Sequence, residues 1–254
     1  ITAFMSVAVK MATVAAVIRI FFVAFPELAG KWNLLLWLLA VFTMIWGNVA
    51  AIAQTNLKRM LAYSSIAHAG YILMGIVATT TIVAGKAVFS AQGISAVLFY
   101  LVAYMVTNLG AFGMIIFVCR EDYRGDNIED WRGVGQAHPL AGMAFIVFFL
   151  SLGGLPPTAG FVGKLFLFGT AIQNEYYWLA VIGILSSAVS VYYYFRVVMV
   201  MYMEPRGANQ PAVEFSLAPS LYVALAVLVL ATLYLGLFPG SIIEAAKGSV
   251  ASLI

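Results

Sequence analysis

The chain has 254 residues, of which 64% are hydrophobic, 14% aromatic and 9% charged, against roughly 45 to 50% apolar and about 25% charged in a typical soluble domain. With a mean hydropathy of +1.02 there are too few polar side chains to cover a soluble globule, and the composition predicts a polytopic membrane protein built from apolar segments of about 20 residues. The formal charge of +3 comes from 13 Lys and Arg scattered between apolar runs; they form no basic stripe, and no nucleic-acid partner is expected.

Seven apolar stretches follow one another, at about 3–25, 33–54, 60–82, 92–118, 139–172, 176–203 and 216–238. At these lengths only helices satisfy every backbone group across lipid, so the fold class is all-α, a transmembrane helix bundle. The chain begins at Ile1, without an initiator methionine and already close to the first apolar stretch, which predicts a piece of a longer protein. No charged segment with a cleavage site precedes that stretch, so no removable signal peptide is expected. The fifth stretch is too long for one straight crossing and contains Gly153, Gly154, Leu155, Pro156 and Pro157. Two prolines remove two amide donors and clash with the preceding turn, which predicts a helix broken into two halves at Pro156 and Pro157. A broken helix at membrane depth needs protein or a water-filled cavity to satisfy its freed carbonyls.

Charges outside the stretches set the topology. One face receives Lys58, Arg59, Arg120, Arg124, Arg132 and Arg206, and the other receives Lys31, Lys86 and Lys247. The positive-inside rule places the first group in the cytoplasm, with Lys58 and Arg59 as flanking anchors, the N-terminal end of the chain cytoplasmic and the C-terminus on the opposite, periplasmic side. The longest connection, residues 120–138, mixes arginines and acids and reads as a solvated loop or a docking surface for a neighbouring subunit. Several chemistries drop out. The single cysteine, Cys119, excludes an internal disulfide and any cysteine-ligated cluster, and His68 and His138 are too few for a metal site. The run Gly160–Lys164 is not a phosphate loop, since Thr158 stands where its first glycine belongs and Leu165 where Ser or Thr should follow.

All ten acids fall in connections, in the C-terminal tail or at the edges of these, whereas Lys10, Arg19, Lys164 and Arg196 fall within stretches. Arg19 and Arg196 lie close enough to helix ends to reach the interface or a structural partner. Lys10 and Lys164 lie deeper, and an ionisable group there is a functional candidate by default. Moving one charge across about 150 mV costs roughly 3.5 kcal/mol, and a thousandfold change in proton affinity is worth roughly 4 kcal/mol. A lysine alternating between wet and dry settings therefore has the range to gate a proton, which an arginine lacks because it stays protonated. The competing reading is a fixed bond from each lysine to carbonyls at a helix break. In the third stretch Ser64, His68 and Tyr71 share one helical face, a stripe that can relay protons or simply join helices.

The segment Gln54–Gly75 (QTNLKRMLAYSSIAHAGYILMG) resembles the signature of the proton-translocating, antiporter-like membrane subunits of respiratory complex I. Gly153–Phe168 (GGLPPTAGFVGKLFLF), Ser190–Tyr202 (SVYYYFRVVMVMY) and the opening ITAFMSVAVKMATVAAVIRIF are similar to the subunit N branch rather than to its sisters M and L. The resemblance implies the C-terminal half of a 14-helix antiporter-like fold. Residues 1–25 would be the last helix of a first repeat, 33–203 a second five-helix repeat with its broken helix at 139–172, and 216–238 the final helix. It implies proton transfer through Lys10, His68 and Lys164, with Ser64 and Tyr71 as a polar relay, and a glutamate and a lysine in the half that is not in this chain. It further implies a bacterial inner membrane location and membrane-arm partners including subunits M and K. No cofactor is expected on this chain; NADH, FMN, iron–sulfur clusters and quinone would be handled elsewhere in the complex. A subunit of a multisubunit cation/proton antiporter is the alternative within the same fold, and a purely structural membrane subunit is a third.

Overall fold

The computed structural model describes residues 2–83, 86–118, 126–205 and 219–251. Cys119, Arg120, Arg124 and Arg206 lie outside the described residues, as do Glu121, Asp122 and Glu214. Helix α1, Thr2–Ile18, continues as a π-helical segment, Arg19–Ala24, and stops at Phe25, because the residue before a proline is pushed out of helical geometry. Pro26 then opens a 3₁₀ turn, Pro26–Leu28, that leads into α2, Ala29–Ile52. Helix α3, Leu57–Ala78, is capped by Asn56, whose side chain accepts from the Arg59 amide.

The third predicted stretch ran to 82, but α3 ends at Ala78 and the chain turns into an antiparallel hairpin, β1 (Thr80–Val83) with β2 (Lys86–Phe89). The β-branched run Thr79, Thr80, Thr81, Ile82, Val83 favours extended backbone over a further helical turn. Next come α4, Ala91–Val118, a 3₁₀ turn Ile128–Trp131, and α5, Val134–Ala137. The broken stretch is α6, Pro139–Gly153, and α7, Ala159–Gln173; α8, Tyr177–Met203, and α9, Pro219–Leu237, follow. A further short helix, α10 (Gly240–Ala251), lies beyond the stretch read as final. Carrying Glu244, Lys247 and two glycines, it gave no transmembrane signal.

Among the described residues six helical segments are long and apolar enough to cross a membrane, and the two 15-residue halves, α6 and α7, account for the seventh stretch. The protein is a multi-pass membrane protein. Its helices turn large apolar side chains outward and bury small, polar and apolar residues together inside. Helix α2 buries Asn33, Leu36, Ala40, Met44, Gly47, Asn48 and Ala51 at spacings of three and four, and exposes Leu34, Leu38, Phe42, Ile45, Trp46 and Val49. In lipid, apolar burial gives little drive between helices, so close packing and hydrogen bonds must hold them. Accordingly a Cβ on Gly47 would stand 2.6 Å from the Ala67 amide nitrogen of α3: only glycine permits this approach.

Two apolar clusters fill the bundle. One gathers Leu57, Phe112, Trp131, Phe145, Phe149 and Val197, and the other gathers Leu36, Met44, Ile72, Leu167 and Leu179. Tyr104 and Tyr194 belong to the first, Tyr71 and Tyr100 to the second, and the polar site lies where these tyrosines meet.

Candidate functional site

The break between α6 and α7 builds one end of the site. Gly154 closes α6 at φ +80, a left-handed conformation that suits glycine. The last carbonyls of α6 are then all accounted for. Leu150 O accepts from the Leu155 amide at 2.9 Å and Ser151 O from the Gly154 amide at 3.1 Å. Leu152 O and Gly153 O have no amide to accept from, since Pro156 and Pro157 supply none, and both accept from Lys164 Nζ, at 2.9 and 3.0 Å. The third ammonium proton goes to Ser187 Oγ of α8 at 2.9 Å. Lys164 is fully satisfied by neutral oxygens and only 3% exposed. A side chain on Gly154 would collide with it, Cβ lying 2.7 Å from Lys164 Cδ. On the opposite side of the break, the Ser151 hydroxyl accepts from the Gly160 amide at 3.0 Å and bonds Thr107 Oγ1 of α4 at 2.8 Å.

Lys10 forms the other end. From the middle of α1 its ammonium donates to the Ser65 carbonyl, to Ser65 Oγ at 2.5 Å and to Tyr104 Oη at 3.3 Å. Tyr104 in turn donates to Ser65 Oγ at 3.0 Å, and its ring lies 5.0 Å from the Lys10 nitrogen, a cation–π distance.

His68 stands between them. Its Nδ1 bonds the Tyr100 hydroxyl at 2.6 Å and its Nε2 lies 3.4 Å from the Tyr194 hydroxyl; Tyr194 also bonds Ser64 Oγ. The imidazole packs on Tyr104 at 5.0 Å and edge-on to Tyr71 at 5.7 Å. The face of Tyr71 then meets Lys164 Nζ at 5.0 Å. The five predicted site residues, half-buried Lys10 and buried Ser64, His68, Tyr71 and Lys164, thus share one seam, ordered Lys10, Tyr104, His68, Tyr71, Lys164. It is not one continuous hydrogen-bonded wire, because Tyr71 joins His68 to Lys164 through its ring and its hydroxyl has no partner among the described residues.

The remaining predicted residues lie elsewhere. Lys58 pairs with Asp126 at 2.5 Å at the end of the bundle, and Arg59 is exposed beside it. Arg196 is half-buried, and its guanidinium donates to Ile52 O at 2.9 Å and to Gln54 O, binding the end of α2 to α8. Among the described residues no group of three or more His, Cys, Asp or Glu could hold a metal ion.

Residues 1–190 match the transmembrane family described as NADH:quinone oxidoreductase/Mrp antiporter. The chain belongs to this family. A relative from Solibacter usitatus, NADH-quinone oxidoreductase subunit N 1, is 45% identical over 253 residues, covering 100% of this chain and 50% of the relative. The chain therefore spans half the length of that protein. A chain of respiratory complex I from Thermus thermophilus superposes with a TM-score of 0.67 at 34% identity, over 83% of this chain and 45% of that one. A chain of the Mrp complex from Dietzia shares the fold at a TM-score of 0.77 and 21% identity, over 96% of this chain and 51% of that one.

Sequence reasoning missed Ser65, Tyr100, Tyr104, Ser187 and Tyr194. A signal existed for two of them: Tyr100 and Tyr104 sit four apart in an otherwise apolar helix, the spacing of one face. Tyr194 lies in the run Tyr192–Tyr194, and nothing local says that Tyr192 is exposed while Tyr193 and Tyr194 are buried.

Proposed function

We propose that this chain forms the second half of subunit N of a proton-translocating NADH-quinone oxidoreductase and passes protons along the seam. Electron transfer from NADH to quinone would occur in other subunits and be coupled at a distance. The observation that carries the reading is the juxtaposition of two deeply placed lysines with an imidazole between them, in spans that contain no carboxylate. Lys10 receives a proton from the half of the subunit outside this chain, His68 and its tyrosines order the intervening path, and Lys164 releases it. Ser64 and Tyr71 support the relay through Tyr194 and through the face presented to Lys164. The bonds that Lys164 makes to Leu152 O and Gly153 O suit this role, since neutral acceptors hold an ammonium without fixing its charge as a carboxylate would.

In this reading residues 1–25 close a first repeat, 33–203 form a second with its broken helix, and 216–238 the final span. Neighbouring antiporter-like subunit M and the small subunit K are the partners, in a bacterial inner membrane, with the Lys58 and Arg59 end cytoplasmic and the Lys247 end periplasmic. The test is proton pumping per NADH oxidised by the assembled complex. Lys164→Ala lowers it, and so does Lys164→Arg, which keeps the charge and the donors but cannot deprotonate. Unchanged pumping by both variants overturns the role. Sodium-dependent exchange by an assembly without redox subunits would instead identify a cation/proton antiporter.

A further inference from the structure

Among the described residues one cavity combines an apolar wall with a polar rim and lies apart from the seam. At the end of the bundle away from Lys58, where α4 begins, α7 ends and α10 packs, a cavity of about 330 Å³ opens to the outside, within the size range of small-ligand sites. Its wall is apolar, formed by Phe99, Phe166 and Ile243. Its rim carries Gln92 from the first turn of α4, Gln173 at the last position of α7 and Lys247 of α10, all three exposed. Lys247 has no ion-pair partner among the described residues. The ends of membrane-crossing helices lie where hydrocarbon gives way to headgroups. A basic, amide-bearing rim over an apolar wall at that depth matches the boundary within a phospholipid.

We propose that this cavity holds an anionic phospholipid, its phosphate at Lys247 and the start of one acyl chain against Phe99 and Phe166. The ammonium pairs with the phosphate while its methylene stem covers apolar surface, and the carboxamides of Gln92 and Gln173 donate to the remaining oxygens. Gly169 marks the vacant volume, because it lines the cavity and a Cβ there meets nothing within 4 Å. The proposal is independent of the proton path, since lipid retention is read without turnover.

The test uses the assembled complex, delipidated and placed in phosphatidylcholine nanodiscs with added phosphatidylglycerol, the bound lipid being counted by native mass spectrometry. Wild type retains one phosphatidylglycerol more than Gly169→Phe, whose ring fills the cavity from a position with open space. Lys247→Gln, an exposed change that leaves the bundle intact, weakens retention about fivefold. Equal retention by wild type and either variant overturns the proposal. Equal retention of phosphatidylcholine overturns it too, as does binding of inorganic phosphate alone, which would make the site one for a free anion.

Discussion

Lys164 shows how a single residue connects sequence to site. The prolines that break the helix also strip Leu152 O and Gly153 O of their amide partners, and the same ammonium that would be costly in lipid satisfies both. That Lys10 and Lys164 sit within apolar helices was legible from the sequence, because long apolar runs surround both. Their partners were not: Ser65, Tyr104 and Ser187 look like ordinary polar residues of a membrane helix until α1, α4 and α8 are docked. Tyr71 allows a clean comparison, since its ring packs on Lys164 while its hydroxyl is unpartnered. Tyr71→Phe keeps the ring contact and removes only that unpaired buried hydroxyl, so the thermal stability of the assembled complex does not fall and rises by up to about 1 kcal/mol. Tyr104→Phe removes bonds to both Lys10 and Ser65 and costs about 1 kcal/mol or more in the same measurement.

At the scale of elements, the break between α6 and α7 was readable from Gly153 to Pro157 with its physical cause, but the closeness of the two halves was not. A Cβ on Gly160 would fall 1.8 Å from the Ser151 carbonyl oxygen, so the start of α7 lies directly against the end of α6. Backbone, unlike a flexible side chain, cannot step aside. Gly160→Ala should therefore cost about 3 kcal/mol or more, read as reduced incorporation of the subunit into the complex on native gels; incorporation equal to wild type would contradict this packing. The hairpin Thr80–Phe89 and helix α10 were hidden for opposite reasons. The first continues an apolar run that hydropathy reads as helix, and the second is too polar and short to register as a span. Arg196 was read as a choice between the interface and a structural partner. Its bonds to Ile52 O and Gln54 O decide for the partner, which only the approach of α8 to the end of α2 could reveal.

On the scale of the whole molecule, the connection after α4 is more than a solvated loop. Leu57 donates to Asp126 O and Ile128 to Thr55 O, so residues 126–128 pair with the start of α3. Trp131 is fully buried and stacks 4.6 Å from Phe145. Arg132 bonds Glu204 at the end of α8, and that bond pushes its guanidinium above the ordinary arginine value. Anchorage should come from the apolar residue rather than from the ions. Trp131→Ala costs about 3 to 5 kcal/mol, whereas Lys58→Ala, which breaks a pair whose side chains are 39% and 19% exposed, costs less than about 1 kcal/mol. Thermal unfolding of the assembled complex separates the two, and equal losses would contradict the ordering. The sequence by itself determined the solvent, the helical class, the seven apolar stretches, the position of the break and the two lysines left inside, because hydropathy and proline chemistry are local properties written along the chain. Only the tertiary structure decided that these lysines converge on His68 through Ser65, Tyr104 and Tyr71. Which polar face of one helix meets which face of another depends on close packing between distant segments, and no periodicity within a single segment encodes it.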